Sequence, residues 1–419
     1  MFDDIKTAWG SLQDRLLFLP PFPDQIDSLA LFSGLLVIGL LAGEWLHARL
    51  GFPKVVGYIL AGILFGPSLL GLISAESLAQ MRPVADAALG LLLLEIGRRL
   101  DVGWLRINPR LLWGALGESA LSFGLIFGYA LIGVGLSAGW SAATAAITMA
   151  SAPAVVLITT EENMSQGQVT ERTVLHTAIS CASSFVVFAF VLGLLHAEES
   201  AEWLNAVVHP LWVVGGALLI AWLAASCALA VAAVVPRRSL SQVFFLVAWA
   251  LFAVGVARML SVPVFLTLFV MGVFLAAQDR KKTLAHTELP EGHWLLAIIL
   301  FVVTGASLPW HDFSWWTLLQ AAGLLVVRAA AKFLGVWLTG GPLGAAKKAF
   351  VAMGIQPLSA TEIFMAAEIA SLYPAVGGTA LALPLFAAAL MELLGPILCR
   401  EALRRAGETA VKSSRGGVL

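Results

Sequence analysis

Long apolar segments separated by short polar loops recur along the whole chain. A helix needs about 20 residues to cross the hydrocarbon layer of a bilayer, and thirteen segments of roughly this kind are present. We therefore predict an all-α polytopic membrane protein with about 13 transmembrane helices. The predicted spans are residues 28–48, 54–73, 83–100, 111–134, 139–160, 173–196, 207–235, 242–259, 262–278, 293–309, 316–338, 348–371 and 378–399.

Composition agrees with this pattern and excludes several classes of protein. The chain is 59% hydrophobic and only 12% charged, about half of the ~25% charged residues that soluble domains carry. A net charge of −1 gives no indication of a nucleic-acid partner. We find no P-loop, zinc-ligand spacing or nucleophile–base pair. The sequence therefore predicts no enzyme, no cofactor and no bound metal beyond a transiently transported cation.

The basic residues of the loops indicate the orientation. If the carboxyl end is cytoplasmic, nineteen Lys and Arg residues lie inside and four lie outside. This bias predicts an outer amino end and an inner carboxyl end in a bacterial cell membrane. Residues 1–26 would form a periplasmic or interfacial segment, and residues 409–419 a short cytoplasmic tail.

Two predicted helices contain breaks near their middles. Ser151 and Pro153 interrupt the fifth segment, and Gln356 and Pro357 interrupt the twelfth. Proline removes a backbone donor and clashes with the preceding turn, which lipid tolerates only where neighbours or a cavity satisfy the freed groups. Because the fifth and twelfth segments are seven apart, two six-helix repeats would have opposite orientations. Paired broken helices in inverted repeats indicate a substrate site near the membrane midplane.

Two basic residues, Arg328 and Lys332, lie inside the eleventh segment and are expected to face the bundle interior. A helical rise of 1.5 Å per residue puts Lys332 and Glu118 each about 12 Å deep, and Cys181 about 13 Å deep. Helices four, six and eleven could therefore bring these side chains to one level. Glu362, after the break of the twelfth helix, lies nearer the midplane.

His176 lies one turn before Cys181 on the sixth segment. A histidine at the inner rim of the membrane is more often an interfacial contact than a proton relay, so we expect an interfacial contact for it.

Several short motifs match a known family in order and spacing. They are residues 57–67 (GYILAGILFGP), 95–101 (EIGRRLD), 151–156 (SAPAVV), 167–172 (GQVTER), 392–396 (ELLGP) and 404–408 (RRAGE). Across nearly all of residues 28–408, the chain resembles the bacterial monovalent cation:proton antiporter superfamily, in the branch of Kef-type potassium exchangers and sodium–proton exchangers.

The resemblance implies a homodimer with alternating access, exchanging Na⁺ or K⁺ for H⁺ within residues 27–408. Dimer-domain helices would lie within 28–100 and 242–309, a linker helix at 207–235, and core-domain helices within 111–196 and 316–400. Lys332 matches the lysine of the family's eleventh helix. The family's sixth helix carries an Asn-Asp or Asp-Asp pair, but here Ser180 and Cys181 occupy those positions.

Because the acidic pair is missing, the sequence does not identify the group that carries the proton. A hydroxyl does not ionise at neutral pH and a buried thiol stays protonated, although Ser180 could offer an oxygen to a cation. Lys332 could itself titrate, with Arg328 opposing its charge, or Glu118 or Glu362 could supply the carboxylate. Glu118 and Glu362 could equally be structural acids. An anion transporter, or a non-transporting membrane sensor or partner subunit, are the alternative functions.

Overall fold

The computed structural model describes residues 28–100, 102–200, 203–232, 239–279, 292–308, 314–341, 343–373 and 381–409. The predicted amino-terminal segment and residues 410–419 lie outside this part of the chain. Within it, all regular structure is helical. The α-helices are α1 (Ser28–Leu50), α2 (Lys54–Phe65), α3 (Ala75–Arg99), α4 (Val102–Ile107), α5 (Pro109–Gly128), α6 (Ala138–Thr148), α7 (Pro153–Glu162), α8 (Gln168–Ser200), α9 (Trp203–Ala232), α10 (Ser239–Met259), α11 (Val264–Gln278), α12 (Gly292–Ala306), α13 (Trp315–Thr339), α14 (Ala345–Gly354), α15 (Ala360–Leu372) and α16 (Ala382–Arg405).

Most predicted spans have a helix at their positions. Among the described residues, nine helical segments are long and apolar enough to cross a membrane, and α2, α11 and α12 are shorter apolar helices. The twelfth predicted segment is divided into α14 and α15. The all-helical membrane architecture is thus confirmed, while the count of thirteen stays a prediction.

Some helix ends differ from the predicted boundaries for local reasons. The second segment was expected to reach residue 73, but α2 ends at Phe65 because Gly66 is extended and Pro67 cannot donate. Conversely, α3 begins at Ala75, eight residues before the predicted start. Its amino end is capped by Ser74, whose hydroxyl accepts from the Ser77 amide at 3.1 Å.

The helices pack in two groups. One group contains α1, α2, α3, α10, α11 and α12, and the other contains α5 to α8 and α13 to α16. The long helix α9 packs on α8 of the second group and on α11 of the first. Within the first group, α3 and α11 approach so closely that a Cβ at Gly97 or Gly272 would overlap a backbone carbonyl of the facing helix.

The two predicted breaks are present and touch each other. Helix α6 ends at Thr148 and α7 begins at Pro153, while α14 ends at Gly354 and α15 begins at Ala360. The amide of Ala152 donates to the Pro357 carbonyl at 2.8 Å. The Ser151 hydroxyl donates to the Ile355 carbonyl at 2.7 Å. The non-helical backbone of each break therefore satisfies part of the other, as an apolar surrounding requires.

Candidate functional site

Arg328 joins the two breaks. This α13 side chain is fully buried, and its Nε and Nη2 atoms donate to the carbonyls of Thr148 and Ala150, each at 2.7 Å. Its Nη1 atom donates to the Gln356 carbonyl at 2.6 Å and to Gln356 Oε1 at 3.1 Å. These carbonyls lie at or just after the carboxyl ends of α6 and α14, where backbone carbonyls have no intrahelical partner. One guanidinium thus caps both interrupted helices, and all three of its nitrogens are engaged.

Lys332 lies one turn further along α13 and is also fully buried. Its Nζ atom donates to Glu118 Oε1 at 3.0 Å, to the Met149 carbonyl at 3.1 Å and to Ser151 Oγ at 2.9 Å. An ammonium group has three donors, so none remains for another ligand. The structure therefore places Glu118, on α5, directly against Lys332, at the level that the helical rise predicted.

Glu118 has one satisfied and one unsatisfied oxygen. Its Oε1 atom also accepts from Ser122 Oγ at 3.0 Å, whereas Oε2 has no hydrogen-bond partner within the described structure. His176 of α8 lies on the side of Oε2, with its Nδ1 atom 3.9 Å away. The sequence suggested an interfacial contact for His176, but it is only 2% exposed, because α8 begins at Gln168 and carries it two turns into the bundle.

Ser180 and Cys181 lie beside the first break. The Ser180 hydroxyl donates to the Met149 carbonyl at 3.1 Å, and Cys181 is buried. One turn later, Ser184 donates to the Ala146 carbonyl at 2.6 Å. The hydroxyl groups of α8 therefore hold the end of α6, and these positions supply no ionisable oxygen.

A second acidic group lies just after the second break. Glu362 is at the third position of α15, where its Oε2 atom accepts from the Ser359 amide at 2.7 Å and from Thr361 Oγ1 at 2.8 Å. This is a capping box, which stabilises the start of a helix. Ser359 Oγ in turn donates to Glu392 Oε1, from α16, at 3.2 Å. We call Glu362 and Glu392 the carboxyl pair.

The carboxyl pair is deeply buried and incompletely bonded. Glu362 is 1% exposed and Glu392 is 0% exposed. Within the described structure, Glu362 Oε1 and Glu392 Oε2 have no hydrogen-bond partner. Glu392 begins the 392–396 motif but was not among the residues predicted for the site. Its signal in the sequence was a carboxylate in the middle of an apolar segment.

The two prolines position the breaks. Pro153 is the first residue of α7, where its missing amide costs nothing. Pro357 offers its carbonyl to Ala152, and a Cβ at Gly395 of α16 would lie 2.8 Å from the Pro357 Cα. Helix α16 therefore passes tightly over the second break, which brings Glu392 to Ser359.

All ten predicted site residues thus lie at or beside the crossing of the two breaks. Among the described residues, no three His, Cys, Asp or Glu side chains are grouped as ligands for a resident metal ion.

The sequence of this chain matches a family model along most of its length. The model describes the transmembrane part of sodium/hydrogen exchangers and matches residues 34–400. The chain belongs to the sodium/hydrogen exchanger family. Membership agrees with the multi-pass architecture.

Two curated proteins are similar to this chain in sequence. The chain is 28% identical, over 346 residues, to the glutathione-regulated potassium-efflux system protein KefC of Salmonella typhimurium, a match that covers 77% of this chain and 52% of KefC. It is 26% identical, over 291 residues, to the iron transporter MagA of Paramagnetospirillum magneticum, covering 68% of this chain and 64% of MagA. The chain therefore spans between half and two thirds of these relatives.

A solved structure shows the same fold. The sodium proton antiporter MjNhaP1 from Methanocaldococcus jannaschii superimposes with a TM-score of 0.70, covering 90% of this chain and 98% of that one. At 18% identity, this likeness concerns the fold alone. The helices of this exchanger-family chain therefore have the arrangement of a known antiporter.

Proposed function

We propose that the chain is a secondary transporter that exchanges a monovalent cation, Na⁺ or K⁺, for protons by alternating access. The observation that carries this proposal is the contact between two interrupted helices, Ala152 to Pro357, in a member of the exchanger family. Interrupted helices that meet inside the bilayer expose backbone groups and ionisable side chains to a transported ion. The names of KefC and MjNhaP1 also favour a small cation.

The engagement of the buried basic residues argues against an anionic solute. Arg328 uses all three nitrogens on protein oxygens, and Lys332 uses three donors in the same way. An anion would therefore have to displace existing bonds to reach either charge. A cation faces the opposite situation, because unbonded carboxylate oxygens are available at Glu118 and Glu362.

A cavity between the two helix groups supports access from one side of the membrane. It has a volume of about 410 Å³ and contains Asp86 and Arg258, which pair at 3.1 Å. Phe265 of α11 also lines it, with its ring 6.3 Å from that of Phe185 on α8 and 5.4 Å from that of Phe364 on α15. Because Phe265 belongs to one group and the other rings to the second, relative movement of the groups would part this contact and open a path toward Glu362.

We also propose a division into two domains and a location in a bacterial cell membrane. The group of α1 to α3 and α10 to α12 would form the dimer domain of a homodimer, and the other group the moving core, with α9 as the linker. The protein would lie in a bacterial cell membrane with its carboxyl end in the cytoplasm, as the distribution of basic residues predicts.

The test is proton flux in proteoliposomes that contain a pH-sensitive dye. Imposing an inward gradient of NaCl or KCl, with choline chloride as the balancing salt, should drive proton efflux. Replacing chloride by gluconate should leave the flux unchanged. Absence of Na⁺- and K⁺-dependent flux, or flux that follows the anion, would refute the proposed exchange. Glu401→Gln is a suitable control variant, because Glu401 lies near the end of α16, is partly exposed and pairs with Arg404 and Arg405 rather than with any residue of the crossing.

A further inference from the structure

The charges at the crossing of the two breaks do not balance. Five acidic or basic side chains in the described part of the chain are at most 1% exposed: Glu118, Arg328, Lys332, Glu362 and Glu392. Two are cations and three are carboxyl groups. Since an isolated charge in an apolar interior is very costly, the third carboxyl group must hold a proton or have a cation beside it.

The bonding pattern indicates where this extra positive charge resides. Lys332 donates to Glu118 at 3.0 Å and therefore neutralises it. Arg328 is engaged with three backbone carbonyls and interacts with Glu362 only through space. Glu392 interacts with the Thr304 hydroxyl of α12 and electrostatically with Glu362, and its Oε1 atom accepts from Ser359 Oγ, so that its bonding partners are hydroxyl groups. The carboxyl pair thus has two acidic groups for one nearby cation, Arg328, which forms an ion pair with neither of them in the described structure.

We propose that the carboxyl pair, Glu362 and Glu392, binds one proton or one monovalent cation in turn, and so carries the exchange. This inference rests on the proposed function and gives it a site. Glu362 Oε1, Glu392 Oε2 and Ser359 Oγ are the oxygens that a Na⁺ or K⁺ ion would use. The pair takes the part that the resemblance assigned to the two positions now held by Ser180 and Cys181.

The exchange at this site balances in atoms and charge. With one proton on the pair, the crossing holds two buried cations and two carboxylates, and is neutral. Release of that proton leaves a second carboxylate in the pair, and binding of one Na⁺ or K⁺ restores neutrality. Two adjacent carboxylates oppose each other's ionisation, so proton and cation compete for the same place, as antiport requires.

Neighbouring groups fix the carboxyl pair in place but leave oxygens of the pair free to bind a proton or a cation. The capping box fixes Glu362 through its Oε2 atom, so that only Oε1 is free to bind. Gly395, one turn after Glu392, fits against Pro357 and fixes α16 on the second break. The break itself contributes the amino end of α15, whose partial positive charge tolerates the carboxylate of Glu362.

His176 is the competing location for the extra positive charge. Its Nδ1 lies 3.9 Å from Glu118 Oε2, so a protonated imidazole would place the charge on the other side of the crossing. The experiment must therefore compare the carboxyl pair with His176.

The direct test is proton release by the purified full chain in lightly buffered detergent solution. Adding NaCl or KCl to the wild-type protein, against choline chloride, should release about one proton per binding event. We expect Glu392→Gln and Glu362→Gln to reduce this release by about tenfold or more at equal salt, which is the factor that 1.4 kcal/mol of binding corresponds to. Glu401→Gln should release protons as the wild type does, and the Tm of each variant reports whether it is folded.

The outcomes separate this inference from the proposed function. Release lost in the pair variants but retained in His176→Gln supports the carboxyl pair. Release lost in His176→Gln and retained in both pair variants overturns it, even if proteoliposomes show cation-driven flux. No release from the folded wild type also overturns it. Absence of flux with normal release would leave the site intact and refute transport.

Discussion

The crossing of the two breaks contains two acidic sites that differ in one respect. Glu118 has a buried cation within hydrogen-bond distance, Lys332 at 3.0 Å, whereas the carboxyl pair has only hydroxyl and amide donors. Both sites are shielded from water, so burial alone does not distinguish them. Glu118, which has a fixed cationic partner, is therefore suited to hold helices together. The carboxyl pair, which has no such partner, is suited to exchange a proton for a cation.

The largest effect is expected at Arg328, which both sites depend on. Arg328→Met would leave the carbonyls of Thr148, Ala150 and Gln356 without their donor. We expect a loss of more than about 5 kcal/mol in the free energy of unfolding, because each buried carbonyl left without its donor costs about 1–3 kcal/mol. Unfolding in mixtures of detergent and SDS measures this.

The matched control is Arg258→Met. Arg258 is 48% exposed and pairs with Asp86 at 3.1 Å, so its removal should cost no more than about 1 kcal/mol. Equal losses for the two arginines would contradict the role of Arg328 in joining the breaks.

The next effect concerns Glu118 and Lys332. Glu118→Gln or Lys332→Met alone should cost about 3–5 kcal/mol, because each leaves an unpaired buried charge. The double variant should cost clearly less than the two losses added together, because it removes both charges. A double-mutant cycle of unfolding free energies measures this coupling. Additive losses would mean that the two groups do not act as a pair.

A smaller effect is expected away from the crossing. Gly272→Ala would force a Cβ into the Leu94 carbonyl oxygen, between α11 and α3, and should cost about 1–3 kcal/mol, as overpacking does. Proton release on cation addition should persist in this variant under conditions where it is folded. Gly255→Ala, with no atom within 4 Å of the added Cβ, is the control and should change little. Loss of release in the folded Gly272→Ala variant would show that general destabilisation abolishes the signal.

The smallest effect on stability is expected at Glu392. Glu392→Gln removes a carboxyl group that has no cationic partner, so the free energy of unfolding should change by less than about 1 kcal/mol. Glu118→Gln should instead lower the free energy of unfolding by about 3–5 kcal/mol. Measuring the two Gln variants side by side tests the comparison, and a loss at Glu392 as large as that at Glu118 would show that both acids are structural.

Much of the crossing could be predicted because local rules determine it. Pro153 and Pro357 interrupt helices wherever they occur, and Arg328 and Lys332 avoid lipid whatever their neighbours are. The depth of Glu118 in the membrane followed from the constant rise of a helix, and the same rise gave Lys332 the same depth. These residues were found by position within one helix.

Glu392 and His176 were missed because their surroundings depend on other helices. The depth of Glu392 in α16 does not say which face it presents, and its contact with Ser359 follows from the packing of Gly395 on Pro357. His176 was taken for an interfacial residue because α8 was expected to begin at residue 173 rather than at Gln168. The hydrogen bonds that Arg328 donates to both breaks could not be predicted either, because they depend on how α6, α13 and α14 pack together.

The most direct measurement is difference infrared spectroscopy of the carboxyl C=O stretch, with NaCl or KCl replacing choline chloride. We predict that cation addition removes the band of one protonated carboxyl group in the wild type and in His176→Gln, and that Glu392→Gln and Glu362→Gln lack this change. A band that disappears in both pair variants as it does in the wild type would contradict the assignment of the exchanging charge to Glu362 and Glu392.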